Sequence, residues 1–320
     1  HTGRTADQEC WSGEGLFWGL STVIKFPVDT THAPYSLIAA GVNLPPQRLL
    51  YPFSLIVNNG LDNHIHPGWV LSQSAYTIAR NEDKFATRRK AKRHSFYTGW
   101  KIIRPETIDL CIVAREMLKR CMGRSMYVGD KDMKGIGKCI LSEKSRISGI
   151  EAYTELIQLY SLRGLLRRIE ENELQHVIVT PRIKLIKRNH QYTLLTSPEG
   201  KVSAPVLPWD ELATTDSNAL MDHQDIVLTQ EFPKIEMQEK SYVPDLLRKL
   251  VDLEYSFAKK VARSKSKDDY KGERTIPGYA DAHVKSEDDK VVVYARKEAA
   301  RVKASVANIL SNGIYNISRL

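Results

Sequence analysis

Apolar positions near the start of the chain recur with a period of six. Neither an α-helix nor an ordinary strand gives this period. A three-sided β-helix does, because each inward-pointing residue stacks on its equivalent in the next coil, and three six-residue sides make a coil of eighteen. The pattern therefore predicts that residues 1–60 are the closing coils of a β-helix. The grid positions, broken by His32 alone, are Leu20, Phe26, Ile38, Leu44, Leu50 and Ile56.

A longer near-repeat supports the same prediction. Pro34-Tyr35-Ser36-Leu37-Ile38 recurs eighteen residues later as Pro52-Phe53-Ser54-Leu55-Ile56. Leu16-Phe17-Trp18-Gly19-Leu20 stands one coil earlier as a looser copy that keeps the aromatic residue and the final aliphatic residue. The repeat ends at the turn signal Asn58-Asn59-Gly60. We therefore expect residues 61–320 to cap the last coil as a second, mainly helical domain.

Helical spacing of apolar residues recurs through most of this second part. The predicted fold class is therefore α+β, with a small β-hairpin over His176–Thr196, where β-prone runs flank a turn. Two stretches are predicted to be irregular, the glycine-rich residues 123–138 and the charged residues 264–278. Helices are predicted over 72–122 with a break at Arg104-Pro105, after Lys138 to about Asn172, after Pro244, and from about Asp288 to Leu310.

Composition sets limits on the class of protein. A hydrophobic content of 42% with 27% charged residues is ordinary for a soluble globular domain. The chain has no run of eighteen apolar residues, so no membrane partner is expected. The four cysteines include no C-x-x-C pair, which argues against a zinc site and predicts reduced thiols. A net charge of +9 suits an anionic partner such as phosphate, nucleotide or nucleic acid, or serves solubility.

The two ends of the chain bear on where the protein resides. The first residues are polar, lack the apolar core of a signal peptide and do not start with Met. We therefore expect a fragment of a longer cytoplasmic protein. The final Ser318-Arg319-Leu320 is similar to the peroxisomal S-K-L signal, so a peroxisome-type organelle is the alternative.

Two histidines are candidates for acid–base chemistry. His1 is followed closely by Asp7 and Glu9, which predicts that His1 is a general base and that a carboxylate orients its ring. A solvated loop of the same composition is the alternative. His32 occupies a grid position where an aliphatic residue is expected. Such a departure marks function or strain, or a coil corner that faces water. The predicted catalytic residues are therefore His1, Asp7, Glu9 and His32.

His64 and His66 form a third candidate. They lie on the same side of an extended segment and could hold a metal ion. Two ligands do not make a site, and histidines are common in loops. No metal site is therefore predicted.

A basic run between residues 84 and 104 is the strongest signal for an anionic ligand. It contains eight Lys or Arg residues and no acidic residue, with Phe85, Phe96, Tyr97 and Trp100 between them. Arg and Lys bind phosphate oxygens, and aromatic rings stack on bases. A solvated helix face whose aromatic rings pack on the first domain is the alternative. The predicted phosphate-binding residues are Arg88, Arg89, Arg93 and Lys25.

Several segments resemble one uncharacterised bacterial-type family of unknown function. That family combines an N-terminal left-handed hexapeptide-repeat β-helix, likened to N-acetylglucosamine-1-phosphate uridylyltransferase, with a C-terminal helical region. The resemblance implies the left hand and further coils before residue 1. Through the wider superfamily of acyltransferases and nucleotidylyltransferases, it implies a trimer with a histidine base, for which His1 is the expected residue. The segments are His1–Glu9, Gly13–Leu20, Ile24–Pro27, Ala33–Val42, Pro52–Ile56, Pro277–Tyr279 and Glu287–Val292.

Three functions follow as hypotheses. The first is a hexapeptide-repeat transferase acting on a phosphorylated sugar or nucleotide-sugar, with acyl-CoA or a nucleoside triphosphate as donor. In it, His1 would be the base and the arginines would hold the phosphate. The second is a non-catalytic β-helix scaffold, which predicts an exposed apolar patch and no polar cleft. The third is a nucleic-acid-binding protein, which predicts affinity that falls steeply with salt.

Overall fold

The computed structural model describes residues 9–88, 101–171, 217–237 and 242–311. The predicted hairpin over His176–Thr196 lies outside these residues. The chain divides into two compact units. Unit 1 comprises the residues up to 75 and residues 106–156, and unit 2 comprises residues 76–105 and the residues from 157 onward. The predicted division after residue 60 stays a prediction.

Short parallel strands build the first part of unit 1. Their pairs join residues eighteen to twenty positions apart in the sequence. The first ladder contains β1 (Cys10–Trp11), β4 (Val28–Asp29) and β7 (Gln47–Arg48); the second contains β3 (Val23–Ile24) and β6 (Asn43–Leu44); and the third contains β2 (Phe17–Trp18), β5 (Leu37–Ile38) and β8 (Leu55–Asn59).

The third ladder extends into a mixed sheet of six strands. β8 turns at Gly60 into β9 (Asp62–His66), and these two strands pair antiparallel. β9 pairs in parallel with β11 (Ile140–Ser142), which pairs antiparallel with β10 (Met126–Val128). The strand order is β10-β11-β9-β8-β5-β2.

The predicted β-helix is wrong. The protein is α+β, but its largest sheet mixes parallel and antiparallel pairs, and helices make up most of the described chain. The expected constant offset of eighteen holds between Leu37 and Leu55, whereas Phe17 pairs with Leu37 at an offset of twenty. Because of these two additional residues, Trp18 and not Leu20 pairs with Ile38, and Leu20 is 83% exposed.

Helices complete unit 1. The helix α1 (Trp69–Gln73) follows β9, whereas α2 (Ala75–Arg88), which comes next along the chain, belongs to unit 2 from residue 76 onward. The helix α3 (Pro105–Arg120) begins at the proline that was predicted to start it, because the first turn of a helix needs no N–H from that residue. It buries Ile108, Cys111, Ala114 and Leu118 at helical spacing. The helix α4 (Glu143–Glu170) follows β11 directly.

Four helices form the core of unit 2. They are the second half of α4, α5 (Ser217–Glu231), α6 (Val243–Thr275) and α8 (Lys290–Ser311), with the short α7 (Tyr279–Ala282) between the last two. Their shared core consists mainly of leucine and valine side chains. A buried ion pair also joins α4 to α5, since Arg168 donates two hydrogen bonds to Asp225 at 2.9 and 3.1 Å.

The prediction that residues 264–278 are irregular is wrong. The helix α6 continues to Thr275. Its charged residues pair along the helix, as Lys265 does with Asp268 three positions later. Asp269 also accepts a hydrogen bond from the backbone N–H of Ser286 at 2.7 Å. Contacts with the segment that precedes α8 therefore stabilise a stretch whose composition alone is not that of a typical helix.

Candidate functional site

Seven of the eight predicted site residues lie outside the described chain or are exposed without partners among themselves. His1, Asp7, Arg89 and Arg93 are outside the described residues. Glu9 and Lys25 are exposed in unit 1, where Glu9 accepts a hydrogen bond of 2.8 Å from the indole of Trp11. Arg88 is exposed at the end of α2 in unit 2. Their predicted roles stay predictions.

His32 lies in a polar cluster next to β4 and β7. Asp29 forms an ion pair of 2.9 Å with Arg48, whose guanidinium lies 3.4 Å from His32 Nδ1. A guanidinium only donates, so Nδ1 accepts and Nε2 carries the proton of the neutral ring. Burial, followed by the charge of Arg48, lowers the pKa of His32, against the opposing effect of Asp29. The half-buried ring therefore has the lone pair of Nδ1 engaged within the cluster.

The six-stranded sheet has one closed face and one open face. Ile38, Ile56, Ile65, Leu141 and Tyr127 point to the closed face and are buried almost completely. Alternate residues of the same strands point the other way, because side chains along a strand alternate between faces. On this open face Phe17, Met126 and Val128 are 57%, 53% and 45% exposed. The open face also carries His64 and His66.

A serine–histidine pair lies at the ends of two parallel strands of this sheet. His66 is the last residue of β9, and Ser142 is the last residue of β11. Ser145, in the first turn of α4, places its Oγ 2.8 Å from His66 Nδ1. Ser142 Oγ lies 2.9 Å from Ser145 Oγ and accepts the backbone N–H of Ser145 at 3.2 Å. The three side chains therefore form a chain of hydrogen bonds, and in the tautomer that carries its proton on His66 Nε2, Ser145 donates to Nδ1.

The first turn of α4 is fixed by an ion pair on its other side. Arg146 donates two hydrogen bonds of 2.6 Å to Glu143 and a third, of 2.7 Å, to the carbonyl of Leu118 at the end of α3. Tyr127 donates to the same carboxylate at 3.0 Å. The guanidinium lowers the pKa of Glu143, which keeps that carboxylate ionised. These contacts hold Ser145 in place without using its hydroxyl.

Close packing fixes the position of His66 relative to α4. Pro67 follows His66, and a Cβ added to Gly149 of α4 would lie 3.0 Å from Pro67 Cβ. A Cβ added to Gly68 would likewise lie 3.0 Å from Ala152 Cβ. Both glycines therefore let the segment after β9 approach α4 more closely than larger residues would. This approach sets the distance between His66 and Ser145.

The electrostatics of the site favour a neutral imidazole. Burial is the main cause that lowers the pKa of His66, and the neighbouring His64 lowers it further. A neutral histidine can accept a proton, and a hydroxyl at hydrogen-bond distance can supply it. The first turn of a helix also carries N–H groups without partners inside the helix, which stabilise negative charge nearby. The arrangement can therefore activate Ser145 as a nucleophile.

Metal binding through His64 and His66 finds no support in the structure. Within the described ranges, no group of three or more His, Cys, Asp or Glu side chains could hold a metal ion. Ser145 already occupies Nδ1 of His66. All four cysteines are free thiols; Cys111 and Cys139 are buried, whereas Cys10 and Cys121 are half-buried. No helix in the described part of the chain is both long and apolar enough to cross a membrane.

Sequence reasoning found His66 but missed both serines. Ser142 precedes the helix and Ser145 lies in its first turn, with the three-residue spacing of a helix cap, which was the available local signal. Ser145 is 79 residues from His66. Only the parallel pairing of β9 and β11 brings the two together, so no local motif could indicate the pair.

Comparison with known proteins gives one informative similarity. The site defined above is of the serine–histidine class, in which a hydroxyl and an imidazole share a hydrogen bond. No protein-family model and no solved structure matches the chain. The chain is similar to an uncharacterized protein of Treponema pallidum (strain Nichols), with 33% identity over 111 residues. This match covers 34% of the chain and 15% of the relative, so the chain spans a small part of that protein's length.

Proposed function

We propose that the protein is an acyl-transfer enzyme with Ser145 as the nucleophile and His66 as the general base. The observation that carries this proposal is the 2.8 Å contact between Ser145 Oγ and His66 Nδ1 on the open face of the sheet. A nucleophile within hydrogen-bond distance of a base is the arrangement that covalent catalysis requires. The proposal keeps the transferase class expected from the sequence but assigns the base to His66 instead of His1.

The reaction begins with attack of Ser145 Oγ on the carbonyl carbon of an ester or thioester. The proton of Ser145 moves to His66 Nδ1 as the new C–O bond forms. The bond from the carbonyl carbon to the leaving oxygen or sulfur then breaks, and the leaving group takes the proton from His66. Water or an acceptor hydroxyl next attacks the acyl-serine and gives its proton to His66. As the new C–O bond forms, the bond from the carbonyl carbon to Ser145 Oγ breaks, and Oγ takes back the proton from His66.

Other residues position these groups. Ser142 donates to Ser145 Oγ and orients the hydroxyl toward His66. The backbone N–H of Glu143 donates to the carbonyl of Ser125 at 2.9 Å, whereas the N–H of Lys144 is the candidate donor to the developing oxyanion. A preorganised donor of this kind typically contributes 10²–10³-fold to kcat. The ion pair between Glu143 and Arg146 holds this turn in place.

Covalent labelling tests the proposal. The protein is treated with a fluorophosphonate, which forms a stable adduct with an activated serine, and the adduct is located by mass spectrometry. We expect wild-type protein to be labelled on Ser145 and to hydrolyse p-nitrophenyl acetate. Both the label and the hydrolysis should be lost in Ser145→Ala and in His66→Ala. Ser12→Ala, at an exposed serine of the same unit, is the control and should keep both properties. Equal labelling of wild type and Ser145→Ala would refute the proposal.

The proposal also covers the substrates and the compartment of the protein. A phosphorylated sugar or nucleotide-sugar is the proposed acceptor, and an acyl-CoA is the proposed donor of the acyl group. The cytoplasm is the proposed compartment, with a peroxisome-type organelle as the alternative. The C-terminal tripeptide on which that alternative rests lies outside the described residues.

A further inference from the structure

A row of side chains leads from the serine–histidine pair across the open face of the sheet. His66 of β9 pairs with Leu55 of β8, Leu55 pairs with Leu37 of β5, and Leu37 pairs with Phe17 of β2. Directly paired residues point to the same face of a sheet. Neighbouring strands lie about 4.8 Å apart, so the row spans about 14 Å from His66 to Phe17. We call Leu55, Leu37 and Phe17 the acyl row.

The acyl row is apolar, although it lies on the accessible face of the sheet. Leu55 and Leu37 are half-buried, and Phe17 is 57% exposed. An exposed apolar strip that begins beside a nucleophile suits an apolar part of the substrate, because contact with it removes both surfaces from water. The row follows a single line of directly paired residues across the strands, and a line of this kind suits an unbranched chain.

We infer that the acyl group of the substrate is a medium-length or long unbranched chain that lies along the acyl row. This inference rests on the proposed function, since Ser145 must hold the carbonyl carbon at one end of the row. The carbonyl then lies at His66, the middle of the chain lies over Leu55 and Leu37, and the far end reaches Phe17. An acetyl group would contact none of the acyl row beyond Leu55.

The chain-length dependence of kcat/KM tests this inference. Wild-type protein is assayed with p-nitrophenyl esters from acetyl to dodecanoyl. A fully buried methylene contributes about fourfold to binding, so a chain covered on one side should gain about twofold per methylene. We expect kcat/KM to rise with length until the chain reaches Phe17 and then to level off.

Two variants locate the chain on the sheet. Phe17→Ser should lower kcat/KM at least about threefold for the longest esters and leave the acetyl ester unchanged, because only the far end of a long chain contacts this side chain. Val128→Ser is the matched control, because Val128 is also exposed on the same face but lies on β10, where it pairs with Ile140 and is not in line with the acyl row. It should leave the whole profile unchanged.

The outcomes separate the inference from the proposed function. If acetyl ester hydrolysis depends on Ser145 but kcat/KM does not change with chain length, the acyl row is overturned and the proposed function stands. Equal effects of Phe17→Ser and Val128→Ser would do the same. Absence of hydrolysis that depends on Ser145 for every ester would overturn the function and the inference together. A rising profile that only Phe17→Ser shortens is the result we expect.

Discussion

Replacing Gly68 by alanine tests whether close packing against α4 sets the geometry of the serine–histidine pair. Gly68 has a φ of 65°, in the left-handed region, and its added Cβ would lie 3.0 Å from Ala152 Cβ. Gly60, in the turn between β8 and β9, has a φ of 77° and nothing within 4 Å of its added Cβ. The two glycines therefore share the backbone conformation but differ in the space around them.

The expected magnitudes follow from these two differences. A side chain in the left-handed region costs about 1–2 kcal/mol, and this cost applies at both positions. Overpacking at Gly68 adds about 1–3 kcal/mol, because Ala152 belongs to a long helix that cannot yield locally. Gly68→Ala should thus lower the free energy of unfolding by about 2–5 kcal/mol. Gly60→Ala should lower it by only about 1–2 kcal/mol.

Urea unfolding and the esterase assay measure the two consequences. The free energy of unfolding is obtained by linear extrapolation for wild type and for each variant. Hydrolysis of the acetyl ester should fall in Gly68→Ala, since the added methyl group displaces the segment that carries His66, and should persist in Gly60→Ala. Equal losses of stability in the two variants would refute the reasoning, because they would show that the packing against Ala152 contributes nothing.

Three further predictions concern protonation, a buried charge and a buried hydroxyl. The esterase reaction requires neutral His66, and burial holds the pKa of this histidine below 6.5. The kcat/KM should therefore be full at pH 7 and fall only as the pH drops through a value below 6.5, and a midpoint above 6.5 would contradict this. Arg168→Met should lower the free energy of unfolding by about 3–5 kcal/mol, because it removes the buried guanidinium that donates two hydrogen bonds to Asp225. Arg248→Met, at an exposed ion pair, should change it by less than about 1 kcal/mol. Tyr51→Phe should cost about 1 kcal/mol in the same urea assay, because it removes a hydrogen bond of 2.8 Å to the carbonyl of Lys134; no loss would show that this bond is replaced.

The same shift in the pKa of His66 also affects stability. A histidine whose pKa is lower in the folded state than in the unfolded state favours folding when it is neutral. Its contribution is therefore fully present above about pH 6.5 and is lost as the pH falls toward the folded-state pKa. Unfolding curves of wild type and His66→Ala should consequently converge at acidic pH.

Periodicity along the chain predicted several elements correctly. Helical spacing of apolar residues located α3, α4 and α8, and Pro105 marked the start of α3. The eighteen-residue repeat correctly paired Leu37 with Leu55. The same repeat failed one step earlier, where two additional residues shift the register. A turn can accommodate such residues without changing which side chains are apolar, so the pattern alone could not reveal the shift.

The sequence by itself determined the local elements, and the tertiary structure decided the site. Local elements are encoded by neighbours in the chain, whose spacing shows which face of a helix or strand is apolar. The pair of Ser145 and His66 depends instead on residues 79 positions apart, on the pairing of β9 with β11, and on two glycines that allow close packing. Contacts of this kind depend on the complementary shapes of distant segments, which exist only once the chain has folded.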